Sequence, residues 1–128
     1  MTAHKPPGHP TVSPYLIVSD AAATIEFLMR ALDGVELCRF ASPDGRVLHA
    51  EVRIDDSVVM LGEGAPPDWP PQPAHVHVYV PDVDATYRRA LAAGATSVQE
   101  PVKKEDDDKR GGVRDAGGTT WWIATTVA

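Results

Sequence analysis

The sequence predicts an α+β protein made of two tandem βαβββ modules. Short runs of alternating apolar and polar residues indicate half-buried strands, and one run in each half has helical spacing instead. The second half also repeats the first at an offset of about 60 residues, since Val18-Ser19-Asp20 matches Val80-Pro81-Asp82. A module of that size is too small to bury a sheet face alone, so we expect the two modules to share one core.

Composition narrows the class of protein. The chain has 128 residues, of which 43% are hydrophobic and 23% are charged, as in ordinary soluble domains. A net charge of -6 argues against nucleic acid or an anionic membrane as a partner. Cys38 is the single cysteine, which fits a reducing cytoplasm, and we expect it to be a small buried side chain. The first ten residues contain no apolar run, so no secretory signal is expected.

The first module is predicted to span residues 11–61, after an extended proline-containing arm over residues 1–10 whose histidines are solvated. A short strand is expected over Val12–Val18, limited by Pro14, which cannot donate to a neighbouring strand. Asp20 is a favourable N-cap for a helix over Ala21–Leu32, and Gly34 suits a left-handed residue at its end. Three further strands are predicted over Val35–Phe40, Arg46–Ile54 and Ser57–Leu61.

The second module is predicted to span residues 74–128. It follows a stiff linker over residues 62–73 that contains five prolines and Trp69, whose side chain we expect to be packed. Asp82 again precedes a helix, and Gly94 ends it. The strands of this module are predicted over His75–Val80, Ala95–Glu100, Gly111–Asp115 and Thr119–Thr126. The charged run Lys103–Arg110 contains no apolar residue and predicts a mobile, solvated loop.

The strand over His75–Val80 carries the most unusual side chains. Its alternation places His75, His77 and Tyr79 on one face and three valines on the other. Two imidazoles and a phenol are costly to bury without a role. Three interpretations remain open: a metal site completed by His49 or Glu51, a wall for a small ligand, or a partly hydrated sheet surface.

Four segments carry a resemblance to a known family: residues 13–27, 45–61, 83–95 and 112–118. Together they resemble the vicinal oxygen chelate superfamily, which includes glyoxalase I, bleomycin-resistance proteins and extradiol dioxygenases. The PhnB-like, glyoxalase-like members are the most similar in pattern. The resemblance implies that the two modules form a curved mixed sheet with a concave cleft and with helices on the outside. It also implies a homodimer, since members commonly form clefts with a partner's module.

In catalytic members of this superfamily, a divalent metal is held by the first and last strands of each module. By register, the resemblance places those four positions on Ser13, Met60, His75 and Trp122. Only His75 is a good ligand for such a metal, because a hydroxyl, a thioether and an indole are poor ones. The resemblance therefore implies a protein without a catalytic metal or other cofactor.

The favoured function is metal-independent binding of a small, flat aromatic molecule in an aromatic-lined cleft. The predicted ligand-binding residues are Tyr15, His49, Met60, His75, His77, Tyr79 and Trp122. One alternative is a metal-dependent lyase, isomerase or dioxygenase that uses His75, His77 and His49. Another is a degenerate interaction module whose cleft is filled by its own side chains.

Overall fold

A computed structural model describes residues 4–127 and contains two helices and eight strands. The elements of the first module are β1 (Tyr15–Val18), α1 (Ala21–Leu32), β2 (Val35–Ala41), β3 (Val47–Ile54) and β4 (Ser57–Glu63). Those of the second are β5 (Ala74–Tyr79), α2 (Val83–Ala92), β6 (Thr96–Lys103), β7 (Asp108–Arg114) and β8 (Thr119–Thr126). The predicted order, βαβββ twice, is confirmed.

Each module forms its own four-stranded mixed sheet, and the two sheets have the same topology. Their strand orders are β1-β4-β3-β2 and β5-β8-β7-β6. In both, the first strand pairs parallel with the last strand of its module, and the remaining pairs are antiparallel. The predicted α+β class with paired modules is therefore confirmed. No helix among the described residues is long and apolar enough to cross a membrane.

One continuous core joins the two modules. The helix-facing sides of the sheets supply Leu16, Val18, Val52 and Trp121, all nearly or fully buried, and these side chains belong to one hydrophobic cluster. The helices α1 and α2 pack against each other between the modules. This shared core agrees with the expectation that neither module buries enough surface alone.

The opposite side of each sheet is not covered by a helix. We call the side of the first sheet that carries Tyr15, His49, Glu51 and Met60 the first open face, because the register places these residues on the same side. The second open face carries His75, His77, Tyr79, Trp122 and Arg110 by the same argument. These two faces hold every residue that was predicted to bind a ligand.

Both helices begin at predicted residues, with Asp20 and Asp82 as N-caps that accept hydrogen bonds from backbone N–H groups. The end of α1 differs from the prediction, since the left-handed residue is Asp33 (φ 55°) and not Gly34. Gly34 is required for another reason: a Cβ there would lie 2.7 Å from the Cγ1 of Val52. A close approach between helix end and sheet therefore explains this glycine.

Two strands differ in length from the prediction. β1 begins only at Tyr15, because Pro14 lacks the N–H that would extend the ladder, and β4 continues to Glu63, into the predicted linker. Trp69 of that linker is 51% exposed, so the expectation that its side chain is packed was wrong. Its backbone instead closes a small bridge with Ala65.

Half of the charged run Lys103–Arg110 lies in strands. Lys103 ends β6, and residues 108–110 begin β7, so the predicted mobile loop shortens to residues 104–107. Asp108 is buried, with 8% of its surface exposed. The loop prediction was wrong for these residues because a strand can carry charged side chains when those on the same face pair with one another.

Candidate functional site

Trp122 forms the centre of the second open face. It lies opposite His77 in the β5–β8 register, and its ring is nearly coplanar with that of His75, with 9° between the planes and 6.3 Å between centroids. The indole Nε1 donates a hydrogen bond to Nδ1 of His75 over 3.1 Å. The half-buried indole therefore has its one polar atom satisfied and its ring held in a fixed orientation.

Gly112 makes room for this indole. It lies beside Trp122 in the β7–β8 register, and a Cβ at position 112 would be 2.7 Å from Cζ3 of the ring. No ordinary side chain could occupy that space without moving the ring. The sequence thus combines a tryptophan with a glycine on the neighbouring strand so that the ring lies close to the sheet.

Polar groups surround the aromatic ring along β5 and β7. Arg110 donates through Nε to Nε2 of His77 at 3.0 Å and through a terminal nitrogen to Asp108 at 2.9 Å. The Tyr79 hydroxyl donates to the same carboxylate oxygen of Asp108 at 2.7 Å. Asp106 accepts from the remaining terminal nitrogen of Arg110 at 3.0 Å. This network holds the histidine and the phenol in place beside Trp122.

The network also sets the protonation states. The pKa of His77 is lowered, first by burial and then by the positive charge of Arg110. Since Arg110 donates to Nε2, the neutral ring with its proton on Nδ1 is the form that fits this geometry. The pKa of Tyr79 is raised by its hydrogen bond to Asp108, so the phenol remains a donor. At neutral pH the second open face therefore presents a neutral imidazole and a neutral phenol.

An open cavity of about 410 Å³ adjoins this face, between β5 and the first module. His77 and Tyr79 line it together with Val12, Pro14 and the turn between β3 and β4. A volume of this size falls within the range of small-molecule sites. Val76, Val78 and Trp121 from the core side of the sheet also line the cavity, and Trp122 does not, so the cavity lies along the edge of β5 beside His77 and Tyr79.

The first open face brings the other predicted residues together. Tyr15 lies opposite Met60, and the ring of His49 is stacked between those of Tyr15 and Phe40, with centroids 5.7 Å and 6.2 Å apart. Phe40, which the sequence did not single out, is 59% exposed. This face is therefore also aromatic and is open to solvent in a single chain.

Glu51 is the electrostatic centre of the first open face. Its carboxylate contacts Nε2 of His49 at 2.8 Å and Nε2 of His9 at 2.6 Å. These hydrogen bonds lower the pKa of Glu51, and its carboxylate in turn raises the pKa of His9. Of the two arm histidines expected to be solvated, His4 is exposed, but the expectation was wrong for His9, which is hydrogen-bonded to the sheet. Burial raises the pKa of the neighbouring Cys38 thiol.

The alternative metal site from His75, His77 and His49 is not assembled. Among residues 4–127, one group of three has its ligand atoms within 4.8 Å of each other, and it consists of Cys38, His49 and Glu51. The two other histidines lie on the second open face and hydrogen-bond with Trp122 and Arg110. The sequence alone could not show that His49 lies on a different sheet from His75 and His77, because spacing along the chain does not report which strands are neighbours.

The four positions that the resemblance implied for a metal do not fit one. Tyr15, and not Ser13, lies opposite Met60, and Trp122 donates its indole N–H to His75. A thioether and an indole donor give no ligand set for the divalent ions of this chemistry. These four positions therefore do not form a catalytic metal site.

Asp108 and Arg110 are the residues of the second open face that sequence reasoning missed. Both lie in the charged run that predicts a loop, although a period of two continued backwards from Gly112 places residues 108, 110 and 112 on one face. Cys38 and His9 were missed on the first open face. Cys38 shares that face because it pairs with Glu51 across an irregularity in the β2–β3 register.

Sequence and structure comparisons agree with this architecture. A family model described as "Glyoxalase/Bleomycin resistance protein/Dioxygenase superfamily" matches residues 8–123. An uncharacterised protein of Mycobacterium bovis is 39% identical over 122 residues, which cover 88% of this chain and 80% of that protein.

Solved structures show the same fold. TioX from Micromonospora sp. ML1 is similar with a TM-score of 0.77 and 25% identity, covering 92% of this chain and 99% of TioX. TnmS3, described as an antibiotic binding protein from Streptomyces sp. CB03234, has a TM-score of 0.69 and 20% identity, with 92% and 99% of the two chains covered. The match over residues 8–123 and the paired βαβββ modules show that the chain belongs to the glyoxalase/bleomycin resistance protein/dioxygenase superfamily.

Proposed function

We propose that this protein binds a small molecule with a flat aromatic ring, without a metal, by stacking it on Trp122. The observation that carries the proposal is the arrangement of the second open face. The indole is half-buried, held by His75 and given space by Gly112, while its surroundings supply a few fixed polar groups. An apolar surface with sparse, oriented polar groups is the usual composition of a small-molecule site.

The polar groups define what the ligand could offer. Tyr79 and Arg110 already form hydrogen bonds with Asp106 and Asp108. They can therefore orient a ligand, but Arg110 has no free positive charge to pair with an anionic ligand. We expect a neutral or weakly polar ring system whose edge contacts His77 and Tyr79. The fold similarity to TnmS3, an antibiotic binding protein, is compatible with a sequestration role of this kind.

A second copy of the chain completes the site in this proposal. Tyr15 and Phe40 on the first open face and Tyr79 on the second are 44%, 59% and 63% exposed, which is unusual for large aromatic residues unless they are later covered. In a homodimer, the first open face of one copy covers the second open face of the other. Tyr15, His49 and Met60 of one copy then line the cleft opposite Trp122 of the other. The single free cysteine is consistent with a reducing cytoplasm as the compartment.

Calorimetric titration with acridine and naphthoquinone compounds tests the proposal. We expect Trp122→Ala to weaken binding at least tenfold, because a central aromatic anchor contributes about 2 kcal/mol or more. Trp69→Ala is the matched control, since that side chain is exposed on the proline-rich segment and should not affect affinity. Equal losses in both variants, or binding that disappears after chelator treatment, would contradict metal-independent stacking on Trp122.

A further inference from the structure

Cys38, His49 and Glu51 form a compact group of three different ligand types on the first open face. The thiol sulfur, an imidazole nitrogen and a carboxylate oxygen all lie within 4.8 Å of one another. β2 contributes Cys38 and β3 contributes the other two, and Cys38 pairs directly with Glu51 in the β2–β3 register. All three residues are partly buried, so the sheet limits how far their side chains can move apart.

We propose that Cys38, His49 and Glu51 bind a divalent transition-metal ion of the Zn²⁺ or Co²⁺ type. Thiolate, imidazole and carboxylate are the ligands that such borderline ions prefer. Three protein ligands leave a fourth, tetrahedral position for water or another small ligand. Neither β2 nor β3 is among the strands that hold the metal in catalytic members of this superfamily, so the ligands differ from those positions, although Glu51 lies beside Met60 in the β3–β4 register.

The geometry needs only small adjustments to accept the ion. Nε2 of His49 and a carboxylate oxygen of Glu51 are 2.8 Å apart and share a hydrogen. Ligands at about 2.0–2.3 Å from a tetrahedral ion are separated by roughly 3.3–3.8 Å. The hydrogen-bonded pair must therefore open slightly and the thiol must move slightly inwards. The ion replaces the shared hydrogen, and the Cys38 thiol loses its proton to solvent.

Outer hydrogen bonds already orient two of the three ligands. The other carboxylate oxygen of Glu51 accepts from Nε2 of His9 at 2.6 Å. Nδ1 of His49 lies 3.4 Å from the Tyr15 hydroxyl, which can accept the Nδ1 proton once an ion replaces the hydrogen that Nε2 shares with Glu51. Second partners of this kind are usual for metal ligands in proteins.

Cobalt spectroscopy on chelator-treated, reduced protein tests the site. Titration with Co²⁺ should give one ion per chain and a thiolate-to-cobalt absorption band in the near ultraviolet, since Cys38 is the single cysteine. Cys38→Ser should abolish the band, and Glu51→Gln should weaken Co²⁺ binding at least tenfold. His75→Gln is the matched histidine control and should leave both the band and the affinity unchanged.

Two outcomes would overturn the inference. One is stoichiometric Co²⁺ binding without the thiolate band, and the other is binding that depends on His75 and not on Cys38 or Glu51. Circular dichroism melts of each variant establish that loss of the band does not reflect unfolding. Because the readout is metal absorption, it is independent of whether acridine binds to Trp122. Failure here and failure of the proposed function are therefore distinguishable.

Discussion

At the scale of single residues, Trp122 and its neighbours show how a surface aromatic ring is kept ordered. The Nε1 of the indole donates a hydrogen bond to His75. Gly112 lies against the ring, where any larger residue would place a Cβ too close to it. Trp121 and Trp122 are neighbours on β8 and lie on opposite faces of the sheet, with Trp121 fully buried, as alternation along a strand requires. The contribution of Gly112 could not be predicted, because it depends on the β7–β8 register.

The protonation of His77 gives a residue-scale prediction. Arg110→Met removes the cation beside the ring and leaves Asp106 and Asp108 unopposed, so the pKa of His77 should rise towards its ordinary value of about 6.5. NMR titration of the ring protons measures this. Lys109→Met is the control, because Lys109 contacts Asp84 on the helix side of the sheet and should not affect the ring. An unchanged or lower pKa in the Arg110 variant would contradict the described network.

The lowered pKa of His77 determines how this residue changes the free energy of unfolding with pH. The folded protein favours neutral His77, because its pKa is below that of the unfolded chain. The resulting contribution to stability is present above about pH 6.5 and is lost as the pH falls through the lower, folded-state pKa. Wild-type protein should therefore lose the contribution of His77 on mild acidification, and the Arg110→Met variant should lose less of it.

At the scale of elements, the helices were predicted well and the strand ends less well. Helix bounds depend on local signals, namely the capping residues Asp20 and Asp82 and an apolar stripe at helical spacing. Strand bounds depend on the neighbouring strand. β4 extends to Glu63 because β1 pairs with it that far, and β7 begins at Asp108 because β8 continues to Thr126. No local feature of the sequence reports these pairings.

The two N-caps give an element-scale prediction. Asp20→Ala and Asp82→Ala should each lower the free energy of unfolding by about 1 kcal/mol, since each carboxylate accepts a backbone N–H at 3.1 Å. Urea denaturation measures this loss. Asp82→Ser keeps a capping oxygen and should retain most of the stability. If the serine and alanine variants were equally destabilised, capping would not be the role of this residue.

At the scale of the whole molecule, the two modules contact each other through their helices and leave both aromatic sheet faces open. Arg89 of α2 reaches the end of α1, where it pairs with Asp33 at 2.7 Å and bonds to the carbonyl of Arg30 at 2.8 Å. The internal repeat made this two-module architecture predictable from sequence. How the modules pack was not predictable, because the core residues of both sheets look alike in the sequence.

The open faces lead to a prediction about assembly. Light scattering at micromolar concentration should give twice the chain mass of 13.7 kDa, because two copies can cover each other's open faces. Phe40→Glu should shift the protein towards monomer, since that ring is exposed on the first open face. Met29→Glu, at an exposed apolar residue on α1, is the control and should remain dimeric. A wild-type monomer at these concentrations would contradict the proposed assembly.

The central claim is that an aromatic ligand stacks on Trp122. Titration of ¹⁵N-labelled protein with acridine, followed through the three tryptophan indole N–H signals, tests it most directly. We predict that the Trp122 signal shifts, while that of Trp121, which is buried and donates to Asp115 at 2.9 Å, does not. If acridine and naphthoquinone at millimolar concentration leave the Trp122 signal unmoved, or move that of Trp69 alone, the second open face is not the binding site.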